Sequence, residues 1–174
     1  MTKLLSFYNN VGGIESKETI PLDIFLDNIE SGKWQDHFFR VSALQTKKER
    51  AAAKKDFKNP VPYATISGTF SERLDEKIIE HSGYIAIDID EDGLPPVAPN
   101  STQTLSPDEF KSLVCVDKYV AACFISISSR GVCLLFRVNP DKHREAFAGI
   151  SEYLYNHYGA IVDRSGINPS RARF

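Results

Sequence analysis

The chain has 174 residues, enough for one domain or one domain with a small subdomain, and 42% hydrophobic residues can supply a sizeable core. Its 21 basic and 23 acidic side chains nearly cancel, which excludes a global field that would draw it to nucleic acid or to an anionic membrane. Any nucleic-acid contact must therefore come from a local patch. No apolar run approaches the roughly 20 residues of a membrane span, and the first ten residues hold only a short apolar stretch, unlike a secretory signal.

Cys115, Cys123 and Cys133 are odd in number and lie in or near apolar runs, so a reduced, cytoplasmic setting is expected. There is no CxxC or HxxxH pair, and His37, His81, His143 and His157 are scattered, which argues against zinc.

In chain order, residues 3–8 read as a strand and 21–30 as a helix, with Pro21 at its start and Gly32 beyond its end. Residues 45–58 are rich in Lys, Ala and Glu and stop before Pro60 and Pro62, the pattern of a solvated helix. Lys47, Lys48, Arg50, Lys54, Lys55 and Lys58 form its basic side, the best local patch for DNA or phosphate, although a solvated helix face has the same composition. Residues 63–70 read as one short strand, and Ser82-Gly83 leads into 84–90, the clearest strand of the chain. A proline-rich excursion over 92–106 follows.

Ser106 and Glu109 form a capping box that opens a helix running to about Val114. Residues 121–128 and 132–138 are expected to be antiparallel neighbours across Ser129-Arg130-Gly131, with Gly131 supplying positive φ. Residues 141–158 place Phe147, Ile150, Leu154 and Tyr158 at helical spacing before Gly159, and 161–163 re-enter a strand. The expected fold class is α+β, one layer of helices on a mostly antiparallel sheet, without internal repeats.

Three segments carry candidate chemistry. In Tyr84-Ile85-Ala86-Ile87-Asp88-Ile89-Asp90, alternation puts Asp88 and Asp90 on one face and the isoleucines on the other. Two carboxylates about 7 Å apart repel unless a cation, a basic partner or solvent intervenes. Hard oxygen donors suit Mg²⁺ or Mn²⁺, whose shell is commonly completed by water and substrate phosphates. The same pair is also what an acidic strand end in solvent looks like. A calcium loop starting at Asp88 fails at its twelfth position, Pro99. A haloacid-dehalogenase-type phosphatase would need far more chain after Asp88 than is present.

The second segment is Ser126-Ile127-Ser128-Ser129-Arg130-Gly131-Val132-Cys133, in which hydroxyls, amides and a guanidinium concentrate in one turn suited to phosphate, or simply make an ordinary hairpin. The third is Asp163-Arg164-Ser165 with Arg171 and Arg173, which point the same way if their segment is extended.

In this order, IAIDID, SISSRGVCLLFRV and IVDRSGINPSRARF resemble the three-motif layout of the archaeo-eukaryotic primase-polymerase superfamily. More closely, the chain from about Leu4 to Phe174 looks like the VirE-type N-terminal domain of primase-helicase-like proteins from Bacteroidetes mobile elements. Arg40, the lysine-rich helix and residues 59–70, similar to that family's LP...SG.F segment, are weaker landmarks.

The resemblance implies an RRM-like core over about 71–174, preceded by a small αβ part over about 1–70. It implies Asp88, Asp90 and Asp163 as catalytic ligands of Mg²⁺ or Mn²⁺. Ser128, Ser129, Arg130 and Gly131 would contact nucleotide phosphates, joined by Arg171 and Arg173, while Lys47, Lys48, Lys54 and Lys55 would guide DNA. Implied partners are nucleoside triphosphates, single-stranded or primed DNA, and helicase-like or other domains downstream, since the chain is expected to begin a longer protein. Cys133 departs from the pattern, standing where polymerising members have His and this subgroup often has Lys. Arg137 or Arg130 could compensate only from displaced positions.

The leading expectation is thus a nucleotidyltransferase-like module of a DNA replication or mobilisation protein. A catalytically inactive module that binds single-stranded DNA or a partner is the rival, and metal-assisted hydrolysis by a phosphatase or nuclease is a third reading.

Overall fold

The computed structural model describes residues 2–9, 15–16, 18–56, 58 and 60–173. Asn59 and Phe174, at the ends of two segments singled out above, lie outside them, as does Phe57 within the lysine-rich run. The fold class is α+β. Among the described residues there are three small antiparallel sheets instead of one, and the chain divides into two compact units that part at Gly83/Tyr84 and at Asn168/Pro169.

The first unit contains β1 (Leu4–Tyr8), β2 (Glu18–Pro21), α1 (Leu22–Glu30), α2 (Gln35–Ser42), α3 (Lys47–Lys54), β3 (Tyr63–Thr65), β4 (Gly68–Phe70) and β5 (Ile78–His81). β1 is flanked by β2 and β3, while β4 pairs with β5. The single strand expected over 63–70 is therefore two, broken at 66–67, with the halves in different sheets. The buried Ser6 hydroxyl accepts from the Phe70 amide at 2.9 Å, a side-chain bond that periodicity does not reveal. Residues 169–173 return to this unit, where the Asp75 carboxylate accepts from the Ser170 amide (3.1 Å) and hydroxyl (2.6 Å).

The lysine-rich helix is shorter than expected. Thr46 and Glu49 form a capping box, and α3 stops at Lys54. Neither β2, β5 nor α2 was apparent from pattern. Those strands are short and bury no residue fully, and α2 buries only Val41, so each lacks the apolar stripe that periodicity detects.

The second unit contains β6 (Tyr84–Ile89), α4 (Pro107–Val114), β7 (Val120–Ile125), β8 (Val132–Arg137) and α5 (His143–Tyr158). The strand order is β6-β8-β7, both pairings antiparallel, as expected for the 121–138 hairpin. Alternation places Ile85, Ile87, Ile89, Val132, Leu134 and Phe136 in one cluster with Phe110 and Val114 of α4 and Phe147 and Leu154 of α5. The Ser106/Glu109 capping box opens α4, and Gly159 in left-handed conformation (φ 72°) ends α5.

After α5 the chain runs beside β6, opposite to β8. The Ile161 amide donates to the Gly93 carbonyl and the Asp163 amide to the Asp88 carbonyl, each at 2.8 Å. The element order is β-α-β-β-α followed by this extended segment, the connectivity of a split βαβ unit. Residues 161–163 do not form the laddered strand expected of them, because only these two bonds join them to β6 and the turn after it. Among the described residues no helix is long and apolar enough to cross a membrane.

Candidate functional site

β6 carries the acidic face. Ile85, Ile87 and Ile89 are fully buried, Asp88 on the opposite face is half-buried, and Asp90, just past the strand, is exposed where it leads into a 3-10 turn at Glu91–Gly93. The apolar face anchors the strand and leaves the carboxylates presented, as alternation requires.

Two glycines bring other segments to this strand end. A Cβ on Gly131 would lie 2.4 Å from the Ile89 carbonyl oxygen and 3.2 Å from the Asp90 Cα. The expectation that Gly131 supplies positive φ is corrected here: Ser129 is the left-handed residue (φ 54°), and Gly131 is small so that the turn can close on β6. A Cβ on Gly93 would likewise lie 2.1 Å from the Ile161 carbonyl oxygen, so Gly93 sets the approach of the segment bearing Asp163.

The turn is held by its own bonds. The Ser126 amide donates to Gly131 O (2.9 Å), the Ser129 amide to Ser126 O (2.8 Å), and the Ser126 and Ser128 hydroxyls lie 3.0 Å apart. Arg130 reaches over Glu91 at 3.8 Å, and its Nε is buried without a hydrogen-bond partner. Ser128, Ser129 and Arg130 are half-buried and Gly131 is buried.

Asp163 is held in place locally. Its Oδ1 accepts from the Ser165 amide at 3.0 Å and its Oδ2 accepts from the Ser165 hydroxyl. The Gly166 carbonyl that follows is hydrogen-bonded to Nε2 of the buried His143 on α5 (3.2 Å). The sequence alone assigns no part in this site to Ser165 itself, His143, Gly93 or Glu91. Their roles depend on a neighbour remote in the chain or, for Ser165, on a local turn no periodicity marks.

The remaining candidates are distributed. Arg171 and Arg173 belong to the first unit. Arg171 is exposed and Arg173 is buried, with its backbone exchanging hydrogen bonds with Ala64 at 2.8 and 2.9 Å. The two arginines thus do not form one cationic surface, because the bridge to Ala64 buries one of them. Lys47, Lys48 and Lys55 are exposed at α3 and Lys54 is half-buried. Arg50 leaves the basic face, since its guanidinium is turned inward to the Leu44 and Gln45 carbonyls at 3.0 and 2.8 Å.

Cys133 pairs directly across from Asp88 and is buried, so the position after the glycine turn does face the acidic strand. Arg137 lies at the far end of the same pair of strands, where its Nε donates to the Tyr84 hydroxyl at 3.0 Å. It lies four cross-strand pairs from the Asp88 and Cys133 pair, too remote to replace a cation at 133.

Among the described residues no three His, Cys, Asp or Glu side chains are gathered as a metal held by protein alone requires. The donors on offer are Asp88 and Asp90 at the end of β6, with Asp163 joined to Asp88 through its backbone. Such a set fits Mg²⁺ or Mn²⁺ arriving with a phosphate ligand, because these ions keep several waters and take substrate oxygens beside one or two carboxylates.

A family model described as the BT4734-like N-terminal domain matches residues 56–166. No curated protein and no solved structure matches the chain.

Proposed function

Since the chain belongs to the BT4734-like N-terminal domain family, we propose that its second unit is a nucleotide-binding, primase-polymerase-like module that works with Mg²⁺ or Mn²⁺. The observation that carries this reading is the convergence at the end of β6. Gly131 closes the serine-arginine turn onto Ile89 and Asp90, and Asp163 is bonded through its amide to Asp88.

In this reading a cation arriving with its phosphates draws on the carboxylates of Asp88, Asp90 and Asp163, while the hydroxyls of Ser128 and Ser129 donate to the phosphates and Arg130 offsets their charge. A bound divalent cation would neutralise phosphate charge and activate a 3′-hydroxyl for in-line displacement. The Ser165 bonds hold the Asp163 carboxylate in one orientation, so little reorganisation is needed when the ligand arrives. The resemblance in motif order supports a role within a DNA replication or mobilisation protein of a mobile element, alongside downstream helicase-like domains.

A second reading is favoured by one feature. Cys133 occupies the place opposite Asp88 where a basic side chain would assist phosphate transfer. A module that binds nucleotide or single-stranded DNA without polymerising accommodates this residue.

Calorimetric titration with ATP or dATP in Mn²⁺ separates the readings. Saturable binding that disappears in Asp88→Asn/Asp90→Asn supports a working nucleotide site and calls for primer-synthesis assays. No nucleotide binding by either protein, with single-stranded DNA still bound, sinks the first reading in favour of the second.

A further inference from the structure

The first unit contains a cleft of about 390 Å³, within the range of ligand pockets, to which neither the acidic end of β6 nor the serine turn contributes. Trp34, Phe7, His37, Asn28, Lys33 and Glu18 line it, with the rings of Pro60 and Pro62. Trp34, the sole tryptophan, is half-buried at the start of α2 and stacks on Phe7 at 5.9 Å between centroids and 22° between planes. Phe25 supports the indole at 5.5 Å.

The wall chemistry narrows the ligand. Lys33, whose ammonium stands 5.9 Å from the indole centroid, is balanced by Glu18. Burial and the nearby Arg40 charge hold His37 below its ordinary pKa, so its ring is neutral, and its Nδ1 is buried without a hydrogen-bond partner. One cation against one anion does not make a phosphate site, which needs converging charge or a nest of amides. A flat aromatic ring with proline faces, an amide, a carboxylate and a neutral imidazole suits a planar, uncharged group with donors and acceptors on its edge.

We propose that this cleft receives one unstacked base of single-stranded nucleic acid against Trp34, with the adjoining phosphates met by the exposed lysines of α3. α3 is tied to α2 through Arg40, whose guanidinium donates to the Ala53 carbonyl at 3.1 Å, so the cations and the aromatic site belong to adjacent elements. The lysines supply sequence-independent attraction and the ring supplies stacking. This inference does not depend on the carboxylate site.

The lone tryptophan reports directly on the cleft. Single-stranded homo-oligonucleotides of about a dozen residues are expected to quench its fluorescence saturably at low salt, while the matching duplex does not. By anisotropy of a labelled strand, Trp34→Ala should weaken binding at least about fivefold and Trp34→Phe much less. Asn28→Ala, at a residue outside the buried core, should weaken binding or change which base is preferred. Asp88→Asn/Asp90→Asn should leave the quench intact even if nucleotide binding is lost, which keeps the two sites separable. Absence of quenching by every single strand, or equal quenching by duplex, overturns the proposal. So does unchanged binding by folded Trp34→Ala, or by Asn28→Ala should Trp34→Ala fail to fold.

Discussion

The amide of Asp163 donates to the carbonyl of Asp88 at 2.8 Å, which joins the backbones of two aspartates that are remote in the chain. Gly93 makes this possible from the other end of the segment, through its contact with Ile161. A Cβ there would meet a backbone oxygen that cannot swing aside. Gly93→Ala should therefore cost about 1–3 kcal/mol of stability and weaken Mn²⁺-dependent nucleotide binding, measured by denaturant titration and calorimetry. Wild-type stability together with wild-type nucleotide affinity would show that Gly93 does not position Asp163.

In the first unit Tyr63 is fully buried, stacks on Tyr8 at 5.2 Å, and receives a hydrogen bond from Arg73 on its hydroxyl. Burial pushes its pKa up from 10.0 to about 12, against the opposing pull of the Arg73 charge. The raised value means that the folded state retains a proton which the unfolded chain releases first. The contribution is complete below pH 10 and is lost as pH rises from about 10 towards about 12. Urea midpoints across that window should fall less steeply for Tyr63→Phe than for wild type, by at most about 2 kcal/mol. Parallel profiles would exclude Tyr63 as the source of alkaline loss.

In the second unit Asp117 joins the start of β7 to α5. Its Oδ2 accepts from the Tyr153 and Tyr158 hydroxyls at 2.7 Å each, and its Oδ1 accepts from the Tyr119 amide at 2.9 Å. Burial alone would raise its pKa, but these three bonds outweigh burial and hold it below the ordinary carboxylate value. A depressed pKa stabilises the fold above the unfolded value near 3.8 and ceases to do so as pH falls through the folded one. Asp117→Asn should cost about 1–3 kcal/mol at neutral pH, with the gap to wild type narrowing in acid. A gap independent of pH would assign the loss to shape and not to charge.

Much of the second unit was legible in the sequence because its elements carry their own signals. The isoleucine alternation defines β6, the Ser106/Glu109 box opens α4, and Gly159 closes α5. The first unit was less legible. Gly68 to Phe70 continues the apolar pattern of Tyr63 to Thr65, yet the two short strands enter different sheets, a choice made by pairing with β1 and β5. Arg50 looks like one more surface cation in a lysine-rich run, and its inward turn depends on carbonyls left open where the preceding chain ends.

The sequence by itself determined that an acidic strand face, a serine-arginine turn and a later aspartate occur in this order, since side-chain alternation and turn chemistry are local properties. Only the tertiary structure decided that the turn closes on Asp90 through Gly131, that Asp163 reaches Asp88, and that Arg173 is buried while Arg171 is exposed. Those outcomes depend on which backbone groups meet across long sequence separations, and steric fit between remote strands leaves no periodic trace in a single chain.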